Sequence, residues 1–188
     1  MILFALLMSV VTVPAKVIIP PQRANQVTAS VDMQVAFDSK SRLYTYAYTV
    51  TSARSSVQEI WFFALESGGQ VVNVTSPRGW SFARHIDRPI VSWGAIESGP
   101  LPPGYVDDGN VTPSPFQIKP GHTLGGFSIQ SPDPPGTTRF YLQGFTKIPA
   151  ADDEGDFSPA EMEIMNLDFT ENSFTGTTKG PQALVRRP

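Results

Sequence analysis

Cysteine is absent from the 188-residue chain, which rules out disulfides, thiolate metal sites and thiol nucleophiles. Stability must then come from packing. Histidine is scarce, with His85 and His122 the two in the chain. Charge is sparse and close to balanced, 14 Lys and Arg against 17 Asp and Glu, so nothing marks nucleic acid or an anionic membrane surface as a partner. The longest apolar run falls well short of the roughly twenty residues of a transmembrane helix. Local catalytic motifs are missing too: no G-x-S-x-G elbow, H-E-x-x-H helix, phosphate-binding glycine loop or EF-hand spacing occurs.

Turn formers and apolar residues are plentiful instead. With 18 Pro, 15 Gly and a hydrophobic fraction of 40%, the composition favours many short strands joined by turns over amphipathic helices. The length suits one well-buried domain with appendages. Tyr44-Thr45-Tyr46-Ala47-Tyr48-Thr49-Val50 alternates at period two, and Ile60-Trp61-Phe62-Phe63-Ala64-Leu65 is apolar on both faces. Together they predict the centre of a β-sandwich, with Trp61 in its core. Val31 to Phe37 is a further alternating strand, joined to the tyrosine strand by the turn Asp38-Ser39-Lys40-Ser41. Strands are also expected over Val57 to Glu66, Gln70 to Thr75, Ile90 to Ala95, Thr123 to Gln130 and Thr138 to Phe145, punctuated by Gly and Pro.

The ends have a different character. Ile2 to Val13 is apolar except at Ser9 and Thr12, and Val13-Pro14-Ala15 follows. Modest side chains one and three positions before a cut fit a signal peptidase site after Ala15, although the usual basic n-region is missing. Residues 1–15 are therefore expected to be a signal peptide, residues 16–148 the sandwich domain, and the protein secreted or held at the cell surface, with no membrane span once the leader is removed. Residues 149–188 read as an acidic linker at Asp152 to Asp156, a short helix from Pro159 to about Asn166, and an extended tail. Ser158 caps that helix, Glu161 completes the capping box and Phe157 staples onto Met162.

Candidates for chemistry are few. Trp80 and Trp93 follow or precede turns, and Tyr105 lies in the long loop from Glu97 to Pro115, which holds five prolines and three glycines. Flat aromatic rings of this kind can serve as platforms for a glycan or another ligand. Asp107, Asp108 and Asn110, around Gly109, are oxygen donors of the kind calcium takes. The bland alternatives are core packing for the tryptophans and a solvated Asp-Gly turn for the acidic group. Asp87, Glu97, Asp107 and Asp108 are the dispersed carboxylates from which a hydrolase pair could be drawn. No cofactor is implied.

One likeness to known proteins can be stated. The order Tyr44-x-Tyr46-x-Tyr48-x-Val50, Ile60-Trp61-x-Phe63-x-Leu65, Ser76-Pro77-x-Gly79-Trp80, Ile90-x-x-Trp93, and Ile118-x-Pro120-Gly121 leading into Gly126-Phe127-Ser128-Ile129 resembles exported bacterial Ig-like β-sandwich domains of unknown function. The likeness spans residues 28–147. It implies a cell-surface or secreted protein and transfers no active-site residue; Arg186-Arg187-Pro188 stands where an anchor would be apolar. The expectation is thus an all-β fold, an Ig-like antiparallel sandwich of about seven to nine strands, with one short C-terminal helix and an extended tail. It is expected to act without catalysis, by protein contact or self-association. A carbohydrate-binding module is the alternative, and a hydrolase the third reading. The apolar tail residues Leu167, Phe169 and Phe174 are expected to dock on a partner's sheet edge.

Overall fold

The computed structural model describes residues 24–85, 87–95, 115–145 and 167–183. The leader, most of the long loop and the acidic linker with its expected helix lie outside these residues. Nine strands are present: β1 (Ala29–Asp38), β2 (Leu43–Ser52), β3 (Ile60–Glu66), β4 (Asn73–Thr75), β5 (Ser81–Arg84), β6 (Ile90–Gly94), β7 (Thr123–Ser131), β8 (Pro135–Gly144) and β9 (Phe174–Pro181). They form two antiparallel sheets, one ordered β1-β2-β7-β4 and the other β5-β6-β3-β8-β9. The protein is an all-β sandwich, with no helix among the described residues.

The first sheet follows the alternation of its sequence. β1 and β2 pair without a break from Ala29↔Ser52 to Asp38↔Leu43. At their turn the Asp38 carboxylate accepts bonds from Lys40 N at 3.0 Å and Ser41 Oγ at 2.7 Å. Tyr46, Tyr48 and Val50 all face inward and are buried. Between Tyr48↔Phe127 and Val50↔Leu124 the register slips by one, so Gly125 and Gly126 oppose Thr49. Gly126 has φ +96°, which a side chain would resist, and Pro77 closes over it. Glycine is what lets this bulge form.

Trp61 is where the structure departs from the expected core. Ile60↔Gly144 is followed by Phe62↔Gln143, so Trp61 is the extra residue of a bulge. The bulge turns both Ile60 and Phe63 inward, where each is fully buried, and leaves Trp61 half-buried at the margin of the core. Simple alternation would have put Trp61 inside and Ile60 out.

The core is an aromatic stack. Trp93 lies parallel to Phe63, ring centres 5.0 Å apart with 13° between planes, and Phe127 meets both edge-on. Tyr48 packs against the same two rings. The Tyr46 hydroxyl donates to Asp133 O at 2.7 Å, whereas the buried Tyr48 hydroxyl has no partner among the described residues. Burial, aided by Tyr44 and Asp133, pushes the Tyr46 hydroxyl up to about 12, and burial drives Tyr48 higher still. Both native phenols therefore resist an ionisation that an unfolded tyrosine undergoes near pH 10. Their stabilisation is complete below about pH 10 and is lost as pH rises through the native values. Alkaline titration should show unfolding by circular dichroism that begins above about pH 10, with phenolate absorbance appearing in step. Ionisation of Tyr46 or Tyr48 while the sheet signal stays native would refute this.

The expected loose tail is a strand. β9 pairs with β8 from Leu142↔Phe174 to Pro135↔Pro181, and Gly180 and Pro181 are buried. Before it, residues 167–173 cross the outer face of the second sheet. Phe169 sits against Phe62, His85 and Tyr141 at ring distances of 5.3–5.7 Å. Arg88 anchors this strap through Asp168. Burial works against the Asp168 charge, but bonds from Thr170 and Arg88 outweigh it and hold the carboxyl below its ordinary value. Phe169 and Phe174 are thus used by the protein's own sheets, and the sandwich extends past the expected boundary at residue 148.

Candidate functional site

Both tryptophans proposed as ligand platforms are core residues. The turn Ser76 to Gly79 carries Trp80 back into the sandwich, with Gly79 at φ +78° beneath the Phe116 ring. Its indole N–H donates to Phe116 O at 2.9 Å, and its ring meets Phe127 at 88°. Trp93 is fully buried at the centre of β6 and donates to Thr75 O at 2.9 Å. Neither ring offers a face to solvent, so the glycan reading loses these two platforms. The sequence pattern of alternating Val91 and Trp93 carried that signal already. Tyr105, Asp107, Asp108 and Asn110 lie outside the described residues, as does Glu97; Asp87 is exposed in the turn before β6. Among the described residues no three His, Asp or Glu side chains gather as a metal site requires.

The histidines separate into two situations. His122 is exposed, its Nδ1 3.2 Å from Pro120 O. His85 Nε2 lies 3.0 Å from Ser92 Oγ, the reach of a base and its nucleophile. Ser92 is buried, however, and Phe169 covers the imidazole. The pair ties the turn before β6 to the sheet.

A polar groove lies on the outer face of the second sheet, beside the strap. Pairing places Glu66 next to Ile90 on one side and, one step beyond Leu65↔Phe140, next to Arg139; Arg139 in turn faces Thr177. Glu66, Arg139 and Thr177, with Ser67, Thr137 and Gln182, line a groove of about 440 Å³. Tyr141, diagonal to Glu66, donates its hydroxyl to Glu66 Oε1 at 2.5 Å. Burial and this bond raise the Tyr141 hydroxyl above its ordinary value, with Arg139 acting in the opposite direction. The bond uses one carboxylate oxygen and leaves the other for the groove. Lys179 extends the same face and reaches Thr137 Oγ1 at 3.5 Å. Sequence reasoning missed this set, because it is drawn from three strands. The alternation of Thr175, Thr177 and Lys179 was its one visible trace.

The other exposed feature is the edge of the first sheet. Among the described residues four strands are edges: β1 and β4 in one sheet, β5 and β9 in the other. β4 has three residues and β5 four, while β9 carries Lys179, two glycines and Pro181. Short length, Lys, Gly and Pro are the usual devices that prevent edge pairing. β1 has none of them. It runs ten residues without a bulge or proline, and its inward side chains are Ala29, Val31, Met33, Val35 and Phe37. Val35 is 43% exposed and Phe37 54%.

The chain matches no family model, no curated protein and no solved structure. Function must be argued from these surfaces.

Proposed function

We propose that this protein is an exported Ig-like module of the bacterial cell-surface kind, acting without catalysis by self-association through β1. The Ig-like assignment draws support from strand order. β1-β2-β7 and β3-β8-β9 follow the A-B-E and C-F-G arrangement of immunoglobulin sandwiches, and β4 takes the D position beside β7. Here, unlike in that fold, β4 precedes the two extra strands β5 and β6 in the chain. Among the described residues no helix is long and apolar enough to cross a membrane.

The observation that carries self-association is the unguarded edge of β1. Alternate residues of an edge strand turn N–H and C=O groups outward, ready for another strand. A second copy of β1 is the best-matched occupant. An antiparallel strand pair about a two-fold axis is self-complementary, so one surface supplies both halves of the contact. Such pairing would also bring Val35 and Phe37 of each copy under cover. Light scattering on the full protein should therefore find a concentration-dependent dimer. Val35→Lys places an inward charge on the edge, and should raise the dimer dissociation constant about tenfold or more. A parent protein that stays monomeric at every concentration tested, or a Val35→Lys dimer of unchanged affinity, would dismiss the reading.

A further inference from the structure

We propose that the groove at Glu66 and Arg139 binds an acidic sugar, a pyranose bearing a carboxylate. The groove's volume, about 440 Å³, falls within the range of small-molecule sites. Most of the residues that line it are polar and of mixed kind, with Gly68 and Pro89 among them. Arg139 is exposed and presents a planar guanidinium, the group whose fork matches a carboxylate. Thr137 and Thr177 flank it on the same face, and their hydroxyls can both donate and accept. The Glu66 oxygen not bonded by Tyr141 can accept from a ring hydroxyl. Gln182 adds an amide at the far wall, where its side chain packs over Gly68 and Gly136.

Two observations favour an acidic sugar over a neutral one. The Tyr141 ring is covered edge-on by Phe169 and is buried, so the groove offers no aromatic plane for a neutral sugar to stack on. Orientation must come from charge and hydrogen bonds. Within the lining Arg139 and Glu66 balance, and Lys179, just beyond it on the same face, adds a positive charge, although the chain as a whole is net −3. Tyr141 holds Glu66 toward β8 and keeps it in place beside Arg139. The arrangement orients a ligand with its carboxylate toward Arg139 and its hydroxyls toward Glu66 and the threonines.

The test is a titration of the full protein with glucuronate and, separately, glucose, followed by amide and side-chain chemical shifts. Glucuronate should move the resonances of Glu66, Arg139 and Thr177 saturably, with a dissociation constant on the order of 1 mM, and glucose should bind about tenfold more weakly. Arg139→Gln, a change at an exposed strand position, should reduce glucuronate to the level of glucose while leaving the dimerisation of the parent protein as it was. Thr177→Val should weaken both sugars. Equal binding of the two sugars, unchanged glucuronate affinity in Arg139→Gln, or no saturable shift at these residues would overturn the proposal.

Discussion

A protein ending at residue 166 should fail to fold. Removing residues 167–183 takes away β9 and the strap together. β8 would then become an edge, and Phe140 and Leu142 would lose the cover of Phe174, whose ring lies 6.3 Å from Phe140. Phe62 and Tyr141 on the opposite face would lose Phe169. Losing the burial of Phe169 and Phe174, worth up to about 1.5–3 kcal/mol each, together with the whole β8–β9 ladder, removes much of the 5–15 kcal/mol that holds a typical domain folded. Thermal denaturation followed by circular dichroism should show a cooperative transition for the full chain and none for the shortened one. A retained cooperative melt would mean that β9 is an accessory and the sandwich ends near Gly144.

Trp93→Ala should be the most damaging single substitution. The indole is fully buried and touches Tyr48, Phe63 and Phe127, so truncation leaves a cavity ringed by rigid aromatics that cannot collapse. The expected loss is about 3–5 kcal/mol, with the orphaned Thr75 carbonyl adding to it. Trp61→Ala is the internal control, because the half-buried Trp61 should cost clearly less. Chemical denaturation of both variants decides the matter. Equal midpoints would mean that the bulge does not displace Trp61 from the core.

How much of this was legible in the sequence depends on whether a residue's fate was set by near neighbours. The tyrosine strand announced itself because Tyr46, Tyr48 and Val50 recur at period two, and the structure buries all three. Trp61 did not, because its position depends on a register slip against Gly144 and Gln143, far along the chain. β9 was mistaken for a tail for a physical reason. Its outward positions are Thr and Lys, and its inward ones include Gly176 and Gly180, which are small because the Phe140 ring and the Thr138 methyl occupy the space a side chain would need. A strand whose bulk is supplied by its neighbour reads as coil. The groove was invisible for a related reason: Glu66, Arg139 and Thr177 share no local pattern, and sheet pairing alone brings them together. Trp80 could be weighed only between core and surface, since a flanking turn is compatible with either, whereas Trp93 alternates with Val91 as a core strand does.

The sheet order also governs how the chain gets to this state. β1 and β2 are joined by a tight turn and zip from one end, an event of microseconds for a hairpin. The pairings at the centre of each sheet, β2 with β7 and β3 with β8, join strands separated by much of the sequence, so their loop-closure entropy is met before any reward arrives, and folding is correspondingly slow. During that interval the early hairpin carries the tyrosine face uncovered on one side and the unguarded β1 edge on the other. The strand proposed to serve association in the finished protein is also the first available for mispairing while the chain is still being made.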